Sequence, residues 1–305
     1  MWLIENASPL DVSDSRWTVL TTYQVPASTN SNPEGGQSMD KDNETEEEAE
    51  EREENFSTCR AQLVGYATLY RFTNPMRESR RDTLRLTQLL LLPRFQRQGH
   101  GEALMGCVSQ MAEKDGEGES VLEVGVEDPC QGMIRLRDTC DIRRALEMKV
   151  FEGLLSCPSG VVPPPPFVKD LEDVEVERVR GLLRVTHVQV RRVWLALLLG
   201  HLELLAGGKV WGDEPTAKAY RLLVKRCLHS WDRDIQAIKD GEAKKAALEF
   251  QWLQSLASFA GALAHLKLCS RDDAMLVQER WRVKEREQEL ELEAEAFAKT
   301  TALEP

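Results

Sequence analysis

The chain has 305 residues, 42% of them hydrophobic, which is enough for one large domain or two ordinary ones. Of its net charge of −12, residues 40–54 carry −8, so the remainder is nearly balanced and direct nucleic-acid binding is not expected. No apolar run approaches the ~20 residues of a membrane span, and no signal peptide begins the chain, so neither membrane insertion nor secretion is expected. Seven scattered cysteines predict reduced thiols and no metal site.

The amino-terminal part predicts strands and then an acidic insertion. Residues 1–25 predict two short strands around a turn, at residues 2–4 and 17–23. Residues 26–57 contain few apolar side chains, too few to offset the entropy of ordering, which predicts a disordered insertion. Two interpretations of it remain open, a solvated loop and an acidic tether that concentrates a basic partner.

The next hundred residues predict strands that alternate with helices. Strands are expected over residues 61–72, 84–92 and 121–126, and helices over residues 102–114 and 133–139, the second of them short. The strand at 84–92 ends as a continuous apolar run, which is typical of a buried central strand. This order predicts an α/β (α+β) fold with a mixed, partly parallel sheet and flanking helices.

The second half of the chain predicts helices. Four consecutive prolines, residues 163–166, indicate a stiff linker, with a ligand for a proline-binding module as the alternative. Apolar spacing predicts helices over residues 171–205, 216–240 and 242–268, and the charged remainder predicts an exposed helix or a frayed tail. The expected segments are a domain of residues 1–25 and 58–156, the insertion 26–57, a linker 157–170, a helical domain 171–270 and the tail 271–305.

The turn from residue 96 to residue 101, Gln-Arg-Gln-Gly-His-Gly, carries the clearest chemical signal. Two glycines one residue apart let the backbone approach a ligand without a Cβ in the way. The N–H groups at the start of the following helix, together with the helix dipole, favour an anion. A Walker A loop and a dinucleotide fingerprint are excluded, because Lys-Ser/Thr and the third glycine are missing. The turn predicts a pyrophosphate-binding loop, with an ordinary glycine-rich turn as the alternative.

This turn resembles the Q/R-x-x-G-x-G/A loop of the GNAT superfamily of N-acetyltransferases, which holds the pyrophosphate of acetyl-CoA. The longer blocks LTQLLLLPRFQRQGHGEALM (86–105), VLEVGVEDP (121–129) and RLRD (135–138) resemble the catalytic subunit of the type B histone acetyltransferases. Further blocks at 2–17, 64–72, 191–199 and 218–227 extend the similarity to about four-fifths of the chain.

The resemblance implies a fold, an activity and partners. The fold is a GNAT-type sheet with flanking helices, followed by a helical C-terminal domain. The activity is acetylation of a lysine of a histone tail, with newly made histone H4 as the expected target, acetyl-CoA as co-substrate and no metal. The expected partner besides histone H4 is a WD40 histone-binding chaperone subunit. The expected localisation is nucleus and cytoplasm.

The resemblance places the general base where an apolar strand ends in Glu127, Asp128 and Pro129. A free lysine has a pKa near ~10.4, so its amine needs a nearby carboxylate to take the proton. Glu127 is the expected base, Asp128 an accessory acid and Glu5 a further carboxylate that faces the substrate lysine. We expect partial burial at this strand end, with a solvated acidic pair as the alternative.

The remaining site residues also follow from the resemblance. Leu89, Leu90 and Leu91 are expected to pair through their backbone with the pantetheine arm, like an added strand, and the N–H after them to stabilise the oxyanion. The pyrophosphate loop comprises Gln96, Arg97, Gln98, Gly99, His100, Gly101 and Glu102. Substrate contacts are expected at Tyr70, Arg71 and Phe72, although a cation at position 71 would not attract a basic tail.

Departures from the family leave alternatives open. The family has a domain upstream of the strand that begins here near Met1, and we expect this chain to lack it, as a truncated gene model or a shortened paralogue. Cys130, Gln131 and Gly132 stand where the family has small polar residues. His100 as a base and Cys130 as an acyl carrier are less favoured than a loop residue and a structural thiol. An inactive histone- or chaperone-binding paralogue and a small-molecule acetyltransferase are the alternative functions.

Overall fold

The computed structural model describes residues 13–25, 61–73, 81–114, 121–154, 168–206 and 215–301. The predicted strand at residues 2–4, the acidic insertion and the proline run lie outside these ranges. The proposed domain boundaries therefore stay predictions.

Four strands form one sheet in the order β1-β2-β3-β4. They are β1 (Trp17–Gln24), β2 (Gln62–Thr73), β3 (Asp82–Leu91) and β4 (Glu123–Val126). β1 and β2 are antiparallel, with an irregularity between Thr22 and Tyr23. β2 and β3 also run in opposite directions. The hydroxyl groups of Thr68 and Thr87 face each other across this pair of strands, 2.8 Å apart. The predicted mixed sheet is confirmed, with both antiparallel and parallel pairing.

Contacts group the chain into two compact units. The first contains residues 1–71 and 86–104, and the second contains residues 72–85 and 105–305. Period-two alternation along β2 and β3 gives the first unit its core, because every second side chain points to the same face. The fully buried side chains on that face include Ala67, Leu69 and Leu86.

A 3-10 helix, Pro93–Phe95, and the helix α1 (His100–Lys114) follow β3. The segment between the predicted strand 84–92 and the predicted helix 102–114 therefore contains one helical turn and the start of α1. Proline stands at the first position of the 3-10 helix, where its fixed φ suits a helix start.

The second unit is mostly helical. Its remaining helices are α2 (Gln131–Glu147), α3 (Asp173–Leu183), α4 (His187–Ala206), α5 (Pro215–Trp231), α6 (Arg233–Ala237), α7 (Gly241–His265) and α8 (Arg271–Thr301). None of the described helices combines the length and the apolar content needed to cross a membrane.

Three predicted helices have different bounds in the structure, and one of them, expected over residues 216–240, is divided into α5 and α6. The short helix expected at residues 133–139 is the longer α2, whose polar residues Asp138 and Asp141 are buried and therefore hid its apolar pattern. The helix expected over residues 171–205 is divided into α3 and α4. Arg184 ends α3 in the left-handed region, with φ 54°, and Val185 then forms a parallel bridge with Val124 of β4.

The core of the second unit is built around α4, whose fully buried side chains include Leu195, Leu198, Leu199 and Leu202. Burial of each such leucine contributes roughly 1.5–3 kcal/mol. The first turns of α8 also pack on this core, where the Trp281 and Phe250 rings lie 4.6 Å apart. The charged segment is therefore a helix, one of the two forms expected, and its first turns bury one face.

Candidate functional site

The loop between β3 and α1 is held by its own glutamines. Gln96 donates through Nε2 to the Leu91 carbonyl at 3.0 Å, and Gln98 donates through Nε2 to the Arg94 carbonyl at 2.7 Å. Both side chains thus hydrogen-bond to the loop backbone. In this arrangement the two glutamines stabilise the conformation of the loop.

Two residues of the loop adopt the left-handed conformation. Arg97 has φ 62° and Gly99 has φ 88°, and a Cβ built on Gly99 would meet nothing within 4 Å. Glycine is therefore needed at position 99 for its backbone conformation, and open space lies beside it. The amide of Ala103 donates to the Gly99 carbonyl at 3.0 Å, which closes the first turn of α1.

The start of α1 is suited to an anion. The N–H groups of His100 and Gly101 precede the Ala103 amide, which closes the first turn, and such groups at a helix start have no acceptor within the helix. The helix dipole adds partial positive charge at the same end. A glycine with open space beside it and a helix start directly after it fit a pyrophosphate. The Glu102 carboxylate would repel a phosphate.

The loop is anchored by an aromatic contact. Phe95 is buried, the Arg94 guanidinium lies 4.5 Å from its ring centroid, and the His100 ring meets it edge-on at 6.0 Å. This packing places His100 within the framework of the loop.

The end of β3 is fixed by a close backbone approach. A Cβ on Gly65 of β2 would lie 2.3 Å from the Leu90 carbonyl oxygen, so only glycine allows this spacing of the two strands. The side chains of Leu89, Leu90 and Leu91 are all half-buried. Because strand residues alternate, Leu89 and Leu91 lie on one face and Leu90 lies on the other. Gly65 thus sets the position of the segment that is predicted to pair with the pantetheine arm.

In the second unit, Glu127 is exposed and faces a cation. Its Oε1 lies 3.5 Å from Nη1 of Arg85, and 45% of its side chain is exposed, so the carboxylate is accessible to solvent. The Arg85 guanidinium also lies 5.4 Å from the Phe72 ring centroid. Sequence reasoning missed Arg85, although a cation between Leu84 and Leu86 in an apolar strand is a signal that could have identified it.

Residues next to Glu127 form the turn after β4. Asp128 has φ 37°, a conformation that aspartate tolerates in turns better than most residues. Cys130 is an exposed free thiol and precedes the first residue of α2. Glu5 lies outside the described residues. Among the described residues, no group of three or more His, Cys, Asp or Glu side chains is placed to hold a metal ion.

β4, the strand that carries Glu127, is anchored within the second unit. Glu123 forms a buried ion pair with Arg180 of α3, at 2.9 Å between Oε2 and Nη2. The Val124 amide donates to the Arg184 carbonyl, and Arg137 donates to the Val124 carbonyl, both at 2.8 Å. These bonds hold a four-residue strand that could not be stable alone.

The three predicted substrate residues do not share one face. Along β2, Tyr70 and Phe72 point to one side and Arg71 to the other. The centroids of the Tyr70 and Trp17 rings lie 4.8 Å apart, and the Arg16 guanidinium lies 5.0 Å from the Tyr70 ring centroid. Of the two aromatic residues among these three, Phe72 is the more exposed.

Comparison with known proteins agrees with this geometry. Residues 20–136 match the model of the Acetyltransferase (GNAT) family, a range that contains β2, β3, the glycine loop, α1 and β4. Over this range, the predicted resemblance to the GNAT family is confirmed.

Beyond this domain, the chain is similar to proteins named histone acetyltransferase type B catalytic subunit. The relative from Mycosarcoma maydis is 31% identical over 188 residues, which cover 61% of this chain and 38% of that protein. The Homo sapiens relative is 29% identical over 232 residues, which cover 75% of this chain and 43% of that protein. A Dictyostelium discoideum relative is 32% identical over 94 residues, which cover 30% of this chain and 20% of that protein. The chain thus spans less than half the length of these relatives. The predicted resemblance to the type B catalytic subunits is confirmed.

Proposed function

We propose that the protein is a histone lysine N-acetyltransferase that transfers the acetyl group of acetyl-CoA to a lysine of a histone tail. The observation that carries this proposal is the glycine loop at the start of α1, within a region that matches the GNAT family. The names of the relatives support a histone substrate. The expected substrate is the tail of newly made histone H4. The expected partner is a WD40 chaperone subunit, and the expected location is the nucleus and the cytoplasm.

The first unit supplies the cofactor-binding residues. The backbone of Leu89, Leu90 and Leu91 would pair with the pantetheine arm, and the loop amides would hold the pyrophosphate. Bound acetyl-CoA supplies a thioester as the acetyl donor. An amide after β3 would donate to the oxyanion that develops on the carbonyl oxygen.

The proposed base is Glu127, directly after β4. Glu127 would take a proton from the lysine ammonium, directly or through water. The free amine would then attack the thioester carbonyl carbon and the C–S bond would break. The coenzyme A thiolate would leave and take up the second proton, which the nitrogen loses as the amide forms. Because Arg85 pairs with Glu127 in the structure, the substrate ammonium must compete with this guanidinium for the carboxylate. Asp128 and Glu5 are proposed as accessory carboxylates.

The ion pair between Arg85 and Glu127 favours a second candidate function. A carboxylate that stays with an arginine does not serve as a base, and the protein would then be an inactive paralogue that binds histones or a chaperone. Both functions keep the acetyl-CoA loop, so acetyl-CoA binding alone does not separate them.

The test is a transfer assay with two acceptors. The protein is incubated with acetyl-CoA and either a histone H4 tail peptide or a small polyamine, and the products are identified by mass spectrometry. We expect acetylation of a peptide lysine at a rate well above that of the polyamine. Acetyl-CoA binding without transfer to either acceptor would support the inactive paralogue, and transfer to the polyamine alone would contradict a histone substrate.

A further inference from the structure

Two charged residues of α2, Arg137 and Asp138, are buried in the second unit. Their side chains are only 12% and 2% exposed. Burial of a charged group is unfavourable unless pairing and hydrogen bonds replace the water that it loses. Neither residue belongs to the groups proposed to bind acetyl-CoA or to take the proton, so the contacts that they make indicate what they do.

Arg137 joins α2 to β4. Its Nη2 donates to the Val124 carbonyl at 2.8 Å, and its Nε lies 3.5 Å from Oδ2 of Asp141, one helical turn further along α2. The Asp141 side chain is only 4% exposed, so water screens this ion pair little. Because a guanidinium is planar and rigid, contacts at two of its nitrogens fix its orientation as well as its position. The Val124 carbonyl is thereby tied to a fixed point on α2.

α2 is itself held by Asp138. This carboxylate accepts hydrogen bonds from Arg192 of α4 and from Ser258 of α7, at 2.6 and 2.7 Å. A carboxylate bonded to two neighbouring helices resists the rotation and sliding of its own helix. Arg137 and Asp138 therefore form one continuous connection that runs from α4 and α7 through α2 to β4.

The end of β4 carries the proposed base and is short of support of its own. The strand has four residues, and Glu127 stands three residues after Val124, roughly 10 Å further along the chain. Asp128 then turns the chain with φ 37°. A base must come within about 2.6–3.2 Å of the proton donor, so a displacement of ~1 Å at this strand end would slow the reaction.

We propose that Arg137 is a positioning residue for the acetyl transfer, which holds β4 so that the Glu127 carboxylate reaches the substrate amine. This inference rests on the proposed function, with Glu127 as the base. Arg137 acts through the Val124 carbonyl, because its guanidinium is buried between α2 and β4.

Turnover of Arg137→Met with acetyl-CoA and a histone H4 tail peptide tests this role. The variant keeps a long side chain and removes the donors, so kcat should fall about 10- to 100-fold, while the KM for the peptide and the acetyl-CoA affinity stay unchanged. Arg137→Lys keeps a cation with N–H donors and should recover part of the loss. Wild-type kcat in Arg137→Met would overturn the proposal.

The matched control for Arg137→Met is Tyr220→Phe. The Tyr220 hydroxyl is another buried side-chain donor to a main-chain carbonyl, that of Leu195 at 2.9 Å, and it lies on α5. Its removal should lower stability while kcat stays at the wild-type value. An equal fall of kcat in the two variants would show a general effect of lost stability and would contradict the positioning role.

A double variant shows whether Arg137 acts through the base. In a Glu127→Gln background the base is already lost, so Arg137→Met should lower kcat by less than twofold further. The same fold loss in both backgrounds would mean that Arg137 affects turnover by another route, which overturns the proposal.

Hydrogen exchange provides a measurement that does not depend on turnover. The amides of residues 122–127 should exchange faster in Arg137→Met than in the wild type or in Tyr220→Phe. Unchanged exchange there would overturn the proposal even if the wild type is active. A wild type that transfers nothing would instead contradict the proposed function, and with it any role of Arg137 in transfer.

Discussion

At the scale of single residues, the loop after β3 depends on backbone conformation. Gln96 and Gln98 bind the loop carbonyls, and Gly99 adopts φ 88° with open space beside it. Among the residues predicted to bind the cofactor, these three therefore set the conformation of the loop. This role depends on hydrogen bonds and φ angles, which the sequence pattern does not contain.

Gly99→Ala should weaken acetyl-CoA binding. An L-residue in the left-handed region costs roughly 1–2 kcal/mol, so relaxation of the loop should reduce the affinity about 5- to 30-fold. Isothermal titration measures the affinity directly. Gly106→Ala, in the interior of α1 and also without a neighbour within 4 Å, is the matched control and should leave the affinity unchanged. Unchanged affinity in Gly99→Ala would contradict the role given to this glycine.

The Arg85–Glu127 pair predicts an unusual effect on turnover. Arg85→Gln removes the cation that competes with the substrate lysine for the carboxylate, so turnover at low peptide concentration should rise several-fold. Initial rates with the histone H4 peptide measure this effect. Arg81→Gln removes an exposed arginine just before β3 and serves as the control. A fall in turnover of a folded Arg85→Gln protein would instead show that the arginine assists the reaction.

At the scale of secondary structure, most elements were predictable and their interruptions were not. The alternation of apolar residues located β1, β2, β3 and β4, and helical spacing located the helices. The break between α3 and α4 was missed, because apolar spacing continues on both sides of Arg184 and does not reveal a left-handed residue. Arg85 and Gly65 were missed because their importance comes from neighbouring strands.

Gly65→Ala should destabilise the protein. Its Cβ would meet the Leu90 carbonyl oxygen at 2.3 Å, and the forced separation of β2 and β3 should cost roughly 1–3 kcal/mol. Thermal unfolding measures the change in stability, and titration should show weaker acetyl-CoA binding. Gly125→Ala in β4 is the matched control, since its Cβ would lie 3.8 Å from the nearest side-chain atom, Cγ2 of Thr83. Equal stability of the two variants would contradict this explanation.

The buried pair of Arg180 and Glu123 should be required for the position of β4. Arg180→Ala removes the buried guanidinium that faces the Glu123 carboxylate and should reduce the free energy of unfolding by roughly 3–5 kcal/mol. The double variant Arg180→Met with Glu123→Leu removes both charges and should recover most of that loss. Chemical denaturation of the three proteins measures the difference. A double variant less stable than Arg180→Ala would show that the pair itself stabilises the fold.

At the scale of the whole chain, a buried polar cluster joins three helices of the second unit. Asp138 of α2 accepts hydrogen bonds from Gln189 and Arg192 of α4 and from Ser258 of α7, at 3.2, 2.6 and 2.7 Å. Such a fully bonded carboxylate fixes the way in which the helices pack. The fold class and the family could be predicted from the order of the sequence blocks, whereas this cluster could not, since its members are far apart in the chain.

The most direct test of the account is the turnover of Glu127→Gln with acetyl-CoA and a histone H4 tail peptide. Glutamine cannot accept the proton, so we predict that kcat falls roughly 10²- to 10⁴-fold while the acetyl-CoA affinity stays unchanged. Glu242→Gln, an exposed glutamate at the start of α7, is the control and should keep wild-type turnover. A Glu127→Gln protein as active as the wild type, or a wild type that binds acetyl-CoA and transfers nothing, would contradict the account.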